Sequence, residues 1–174
     1  PLNPLERDTY RELVRQRAKR APLAYLTHEA HFMGWSFYVD ERVLIPRPET
    51  ELLVEKALDF LKGRTQARVL DVGTGSGNLA ISIGKNFEAE IEQIDAVDID
   101  DGALAVARIN VDQYGLEDKV HLFQSDLLEN VGDRQKYDVI VANLPYIGEV
   151  KNRYISADAE KYEPKVALLL SRAF

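Results

Sequence analysis

The chain has 174 residues, a formal net charge of −7, 45% hydrophobic residues and no cysteine. That length suffices for one domain with a real core, and the missing thiols exclude a disulfide scaffold, a thiolate zinc site and a cysteine nucleophile. The longest apolar run, Val166 to Leu170, is far short of a membrane span, and the acidic balance argues against a protein that grips many backbone phosphates. With no apolar leader-like segment at the N-terminus, the expectation is a soluble, cytoplasmic protein with no membrane partner.

Residues 4–20 read as a helix with a solvated, mixed-charge face, in which Arg11, Arg15, Arg17, Lys19 and Arg20 are interspersed with Glu6, Asp8 and Glu12. Its apolar surface is small, as expected of a frayed terminus or of the end of a larger element. From Ala30 to Ile45 the texture becomes aromatic and β-branched, which predicts a hairpin turning near Asp40-Glu41-Arg42. Pro46-Arg47-Pro48 stops it, because proline donates nothing to a ladder. Glu49–Lys62 is helical by pattern. Strand and helix then alternate: Arg68–Val72, Asn78–Phe87, Ile94–Asp98, Asp101–Tyr114, Val120–Phe123 and Tyr137–Ala142. Strict alternation predicts an α/β fold with a largely parallel sheet, preceded by a short helix and a hairpin. The expected division is residues 1–48 as an N-terminal segment and 49–174 as the main domain. His28, His31 and His121 lack metal-ligand spacing with acidic partners, so no metal site is expected.

Asp71-Val72-Gly73-Thr74-Gly75-Ser76-Gly77-Asn78 sets a glycine-rich turn between an apolar strand and an amphipathic helix, where backbone amides approach a ligand closely. Asp98 ends the next strand, twenty-one residues beyond Gly77, where a carboxylate accepts hydrogen bonds from ribose hydroxyls. The spacing is G-x-G-x-G. A dinucleotide fingerprint needs glycine at position 78, which is Asn78. Asp71 adds a negative charge unfavourable to a pyrophosphate and favourable to an ammonium and a sulfonium, which selects S-adenosylmethionine over NAD.

The strand Tyr137–Ala142 runs into Asn143-Leu144-Pro145-Tyr146. Ligands of open α/β sheets collect outside the carboxyl ends of the strands. A planar nitrogen is a poor nucleophile because its lone pair is delocalised. The side-chain oxygen of Asn143 and a neighbouring main-chain carbonyl would accept its two protons and hold it in line with a methyl donor. Pro145 stiffens the backbone and Tyr146 packs on the flat acceptor. Ser125-Asp126-Leu127, after the third strand, would meet an adenine, Asp126 or a main-chain amide by hydrogen bonds and Leu127 by its apolar face.

These residues resemble the protein-(glutamine-N5) methyltransferases of the HemK/PrmC family, which act on the Gly-Gly-Gln loop of peptide-chain release factors. The resemblance covers about residues 21–168. It includes Pro22–Leu26, Phe32-Met33-Gly34, the Val43–Glu51 segment, the Asp71–Gly77 loop, Asp98, Asn143–Tyr146 and Tyr162-Glu163-Pro164. It implies the class I (Rossmann-like) fold and a metal-free, one-step methyl transfer from S-adenosylmethionine that leaves S-adenosylhomocysteine. Asp71, Gly73 to Gly77, Asp98, Asp126, Leu127 and Asn143 would hold the cofactor. Asn143, Leu144, Pro145 and Tyr146 would hold the glutamine, and Arg47 and Glu49 would shape the wall. Sister enzymes acting on a ribosomal protein share Tyr25-Leu26-Thr27 and Phe37–Arg42, so either protein is an implied partner. Leu144 stands where the family has proline, and Leu127 where an aromatic is common. The family continues beyond Leu168–Phe174, so a C-terminally incomplete domain lacking late strands, with an uncovered sheet edge, is expected. Nucleic-acid adenine N6-methylation and a non-catalytic cofactor-binding fragment are the alternatives.

Overall fold

The computed structural model describes residues 3–87, 91–132, 136–145 and 157–168. The first helix, α1 (Pro4–Ala18), is set by a capping box in which Asn3 accepts from the Glu6 amide while the Glu6 carboxylate accepts from the Asn3 amide. None of its residues is buried. Helix α2 (Leu23–Thr27) buries Tyr25, whose hydroxyl donates to the Val43 carbonyl at 2.6 Å.

Strands β1 (Ala30–Phe32) and β2 (Trp35–Phe37) form an antiparallel hairpin whose loop is Met33-Gly34, correcting the turn expected near Asp40-Glu41-Arg42. A two-residue hairpin loop matching the strand twist needs positive φ at both positions. Met33 (φ 52°) and Gly34 (φ 78°) supply it, whereas none of residues 40–42 has positive φ. Asp40 instead closes a loop of its own, accepting from the Arg42 amide and guanidinium. The hairpin is tied onward by Glu51, whose carboxylate accepts from the Met33 amide at 2.7 Å.

Pro48–Thr50 forms a 3₁₀ turn that leads into α3 (Glu51–Leu61). Proline at the first position suits this entry, since its missing N–H has no partner there anyway. The chain then alternates as expected through β3 (Ala67–Val72), α4 (Asn78–Asn86), β4 (Ile91–Asp98), α5 (Asp101–Tyr114), β5 (Val120–Gln124) and β6 (Val139–Ala142). Two short helices, α6 (Ala157–Tyr162) and α7 (Lys165–Leu168), follow. The sheet order is β5-β4-β3-β6, all parallel, with β6 at an edge of the sheet among the described residues.

Alternate side chains divide the core, as the period of a strand requires. Val69, Ile94, Ala96, Val120 and Val141 join Val54, Leu61, Leu79 and Ile83 of α3 and α4 in one cluster, while Leu70, Val72 and Val97 pack with Phe123, Leu127, Tyr137 and Leu144. A third cluster joins Tyr25, Ala30, Val39 and Val43 to Ala103 and Val106 of α5. Asn110, fully buried on α5, accepts from the Tyr38 amide at 2.7 Å and donates to the carbonyls of Tyr38 and Ser76. Both ends of that carboxamide are therefore engaged, and it links the region after the hairpin to the glycine loop.

Candidate active site

The chain reverses direction across the sheet after β5, returning to the far side of β3, and such a switch point opens a crevice at the carboxyl ends of the strands. A cleft of about 720 Å³ lies there. Its wall includes Gly73 to Ser76, Asp98, Asp126, Leu127, Asn143, Leu144, Pro145 and Arg47, all expected from the sequence. Tyr146 lies outside the described residues. Gly77 stands behind the wall as the N-cap of α4, and Glu49 is exposed and away from it.

The glycine loop is held by the strand beside it. The amides of Gly73 and Thr74 donate to the Val97 carbonyl at 2.8 and 2.9 Å, and the Gly75 amide donates to Asp98 Oδ2 at 2.9 Å. Asp98 Oδ1 accepts from the Asp100 amide, so each carboxylate oxygen already holds one amide and keeps a further lone pair as an acceptor. Burial raises the pKa of Asp98 above the ordinary carboxylate value, and these amide bonds oppose the shift.

Asp71, expected at the ligand from its charge, is not among the residues that wall the cleft. Its period-two neighbours Ala67 and Val69 face the cluster shared with α3 and α4, so its side chain turns into the protein, where it is fully buried. Oδ2 accepts from the Thr74 hydroxyl at 2.7 Å and the Ala80 amide at 3.2 Å. Oδ1 is buried with no hydrogen-bond partner among the described residues. Burial pushes the Asp71 pKa up to about 7, with the nearby Asp98 charge adding to the rise. The unfolded chain releases this proton near pH 4 and the folded chain near 7, so the folded state binds more protons between those limits. Stability should therefore fall as pH rises across that window, at up to about 1.4 kcal/mol per pH unit for this one group. Urea midpoints measured from pH 4 to 8 should show that slope reduced in Asp71→Asn relative to wild type.

At the end of β6, Asn143 donates through Nδ2 to Thr50 Oγ1 at 3.3 Å. Leu144, in place of the family proline, packs among Leu70, Val72 and Val97, and its Cδ2 lies 3.0 Å from where a Cβ on Gly73 would stand. The end of β6 and the glycine loop are thus in direct contact. Arg47 is clasped by Glu163, whose side chain is 3% exposed and whose Oε2 has no partner among the described residues. Sequence reasoning missed Thr50, Val166 and Ala167 as parts of the wall. Nothing local marks a threonine in a 3₁₀ turn as facing a strand end 93 positions on. Among the described residues there is no cluster of acidic and histidine side chains able to hold a metal ion, and no helix long and apolar enough to cross a membrane.

A parallel α/β sheet with a glycine loop after its first strand and a cleft at the switch point has the architecture of class I methyltransferases. The chain belongs to the methyltransferase small domain family, which matches residues 48–159. It is 44% identical over 168 residues to a release factor glutamine methyltransferase of Rhodopirellula baltica, covering 94% of this chain and 56% of that protein. It is 39% identical over 161 residues to the Clostridium acetobutylicum protein of the same name, covering 92% and 56%. The chain thus spans just over half the length of these two relatives. Among solved structures, it is similar to the M. jannaschii tRNA m1G37 methyltransferase, with a TM-score of 0.54, 25% identity, and coverage of 68% of this chain and 35% of that one.

Proposed function

We propose that this chain carries the catalytic part of an S-adenosylmethionine-dependent enzyme that methylates the side-chain nitrogen of a glutamine in a protein, the Gly-Gly-Gln loop of a peptide-chain release factor. The observation that carries the reading is one cleft walled both by the Gly73–Ser76 loop with Asp98 and by Asn143-Leu144-Pro145. The names of the relatives support the substrate.

The wall fits such a cofactor. The loop offers small residues and Asp98 a partly amide-bonded carboxylate for the ribose. Leu127 gives an apolar surface for a base, with Asp126 beside it. When bound, S-adenosylmethionine supplies an electrophilic methyl on a sulfonium. The chain's own contribution is to the acceptor. Asn143 Oδ1 and a neighbouring main-chain carbonyl would accept hydrogen bonds from the two N–H groups of the glutamine amide, hold its nitrogen toward the methyl, and favour the positive charge that develops on that nitrogen. The methylated nitrogen would lose one of its protons to solvent water. Arg47, steadied by Glu163, borders the acceptor side of the cleft, and Tyr146 would complete it.

The test is titration with S-adenosylmethionine and, separately, NAD, followed by incubation with release factor protein and mass spectrometry of the glutamine peptide. Saturable binding of the first alone and a gain of one methyl on that glutamine are expected. Binding of NAD instead, or methylation of nucleic acid and not of the protein, would overturn the reading.

A further inference from the structure

The side-chain amide of Asn143 has two ends of nearly equal shape and opposite chemistry. Its nitrogen only donates and its oxygen only accepts. Which end meets an acceptor amide decides whether that amide is gripped by its protons or repelled by them. In the structure the choice is tied to the 3₁₀ turn before α3. Thr50 is 8% exposed, lies in the cleft wall, and its Oγ1 takes a hydrogen bond from Asn143 Nδ2 at 3.3 Å. The turn itself is pinned on both sides. Arg47 is clasped by Glu163, the Thr50 amide donates to the Arg47 carbonyl, and Glu51 accepts from the Met33 amide. The hydroxyl is therefore presented from a backbone fixed to two other parts of the molecule.

We propose that Thr50 is a positioning residue for the acceptor. By engaging Asn143 Nδ2 it turns Asn143 Oδ1 toward the cleft, where the oxygen receives an N–H of the amide to be methylated. The inference rests on the proposed glutamine-methylating function for its kinetic consequence, while the contact of the Asn143 carboxamide with Thr50 is read from the structure itself.

Two measurements separate these. In the free chain, the paired side-chain N–H resonances of Asn143, assigned by their loss in Asn143→Ala, should shift and exchange faster in Thr50→Val, which keeps the shape and removes the acceptor. Thr50→Ser should restore them. Unchanged Asn143 resonances in Thr50→Val would overturn the inference whether or not the chain turns over.

In methylation of release factor protein, Thr50→Val should lower kcat about tenfold, the effect of one misdirected hydrogen bond, with KM for S-adenosylmethionine unchanged and Thr50→Ser near wild type. In an Asn143→Ala background the valine substitution should cost nothing further. An additive loss, or a wild-type kcat in Thr50→Val, would overturn the positioning role. An inactive wild-type chain would overturn the glutamine reading and leave the resonances to decide Thr50.

Discussion

Asn143→Ala should lower methyl transfer to the glutamine by about a hundred- to a thousandfold while leaving S-adenosylmethionine affinity nearly unchanged, the effect of deleting one preorganised polar contact to a developing charge. The asymmetry follows from position. Asn143 stands at the end of β6, in contact with Thr50, whereas the glycine loop follows β3 and Asp98 ends β4. Single-turnover rates at saturating cofactor, set beside calorimetric titration, measure the two properties apart. A variant that transfers methyl at the wild-type rate would place the acceptor elsewhere.

Gly77→Val should cost the fold about 3 kcal/mol. Gly77 caps α4 at φ 80°, a conformation that strains a β-branched residue by about 1–2 kcal/mol. The space is also occupied. A Cβ there would stand 3.1 Å from Ile81 Cδ1 and in ordinary contact, 3.5 Å, with Ala107 Cβ, so the two further methyl groups of valine would press into the space between α4 and α5, at a further cost of about 1–3 kcal/mol. The loop is continuous with that cap, since the Gly77 amide donates to the Thr74 carbonyl. Chemical denaturation should show the lost stability and calorimetry a matching loss of cofactor binding. Wild-type values for both would mean that the loop tolerates a side chain that the packing does not accommodate.

Most of the fold was legible in the sequence because buried parallel strands are local events. Runs such as Val69-Leu70 and Val139-Ile140-Val141 identify themselves, and α5 ends where the pattern predicted, at Tyr114 before Gly115. Gly73, Gly75, Asp98 and Asn143 were legible because their spacing from strand ends places them at one edge of the sheet. What escaped depended on backbone geometry or on distance along the chain. Met33-Gly34 took the hairpin turn because both residues adopt positive φ, while Asp40, a turn former by composition, spends its carboxylate on Arg42. The direction of Asp71 followed from strand parity and not from its charge. The Val43–Glu51 segment stood out as distinctive, yet its polar side chains act on residues far away. Arg47 reaches Glu163, Thr50 reaches Asn143, and Glu51 reaches Met33, with Glu49 left to solvent.

The carboxamide of Asn110 binds Tyr38 at both amide and carbonyl and the glycine loop at Ser76. Releasing either partner leaves a buried polar group unpaired, so the segment following the hairpin and the ligand loop share a single opening event in place of two independent fluctuations. Native-state hydrogen exchange should then assign the Tyr38 and Gly77 amides the same opening free energy, and Asn110→Ala should lower both together. A break in the first forty residues, far in sequence from the loop, would on this account be felt as looser binding in the cleft.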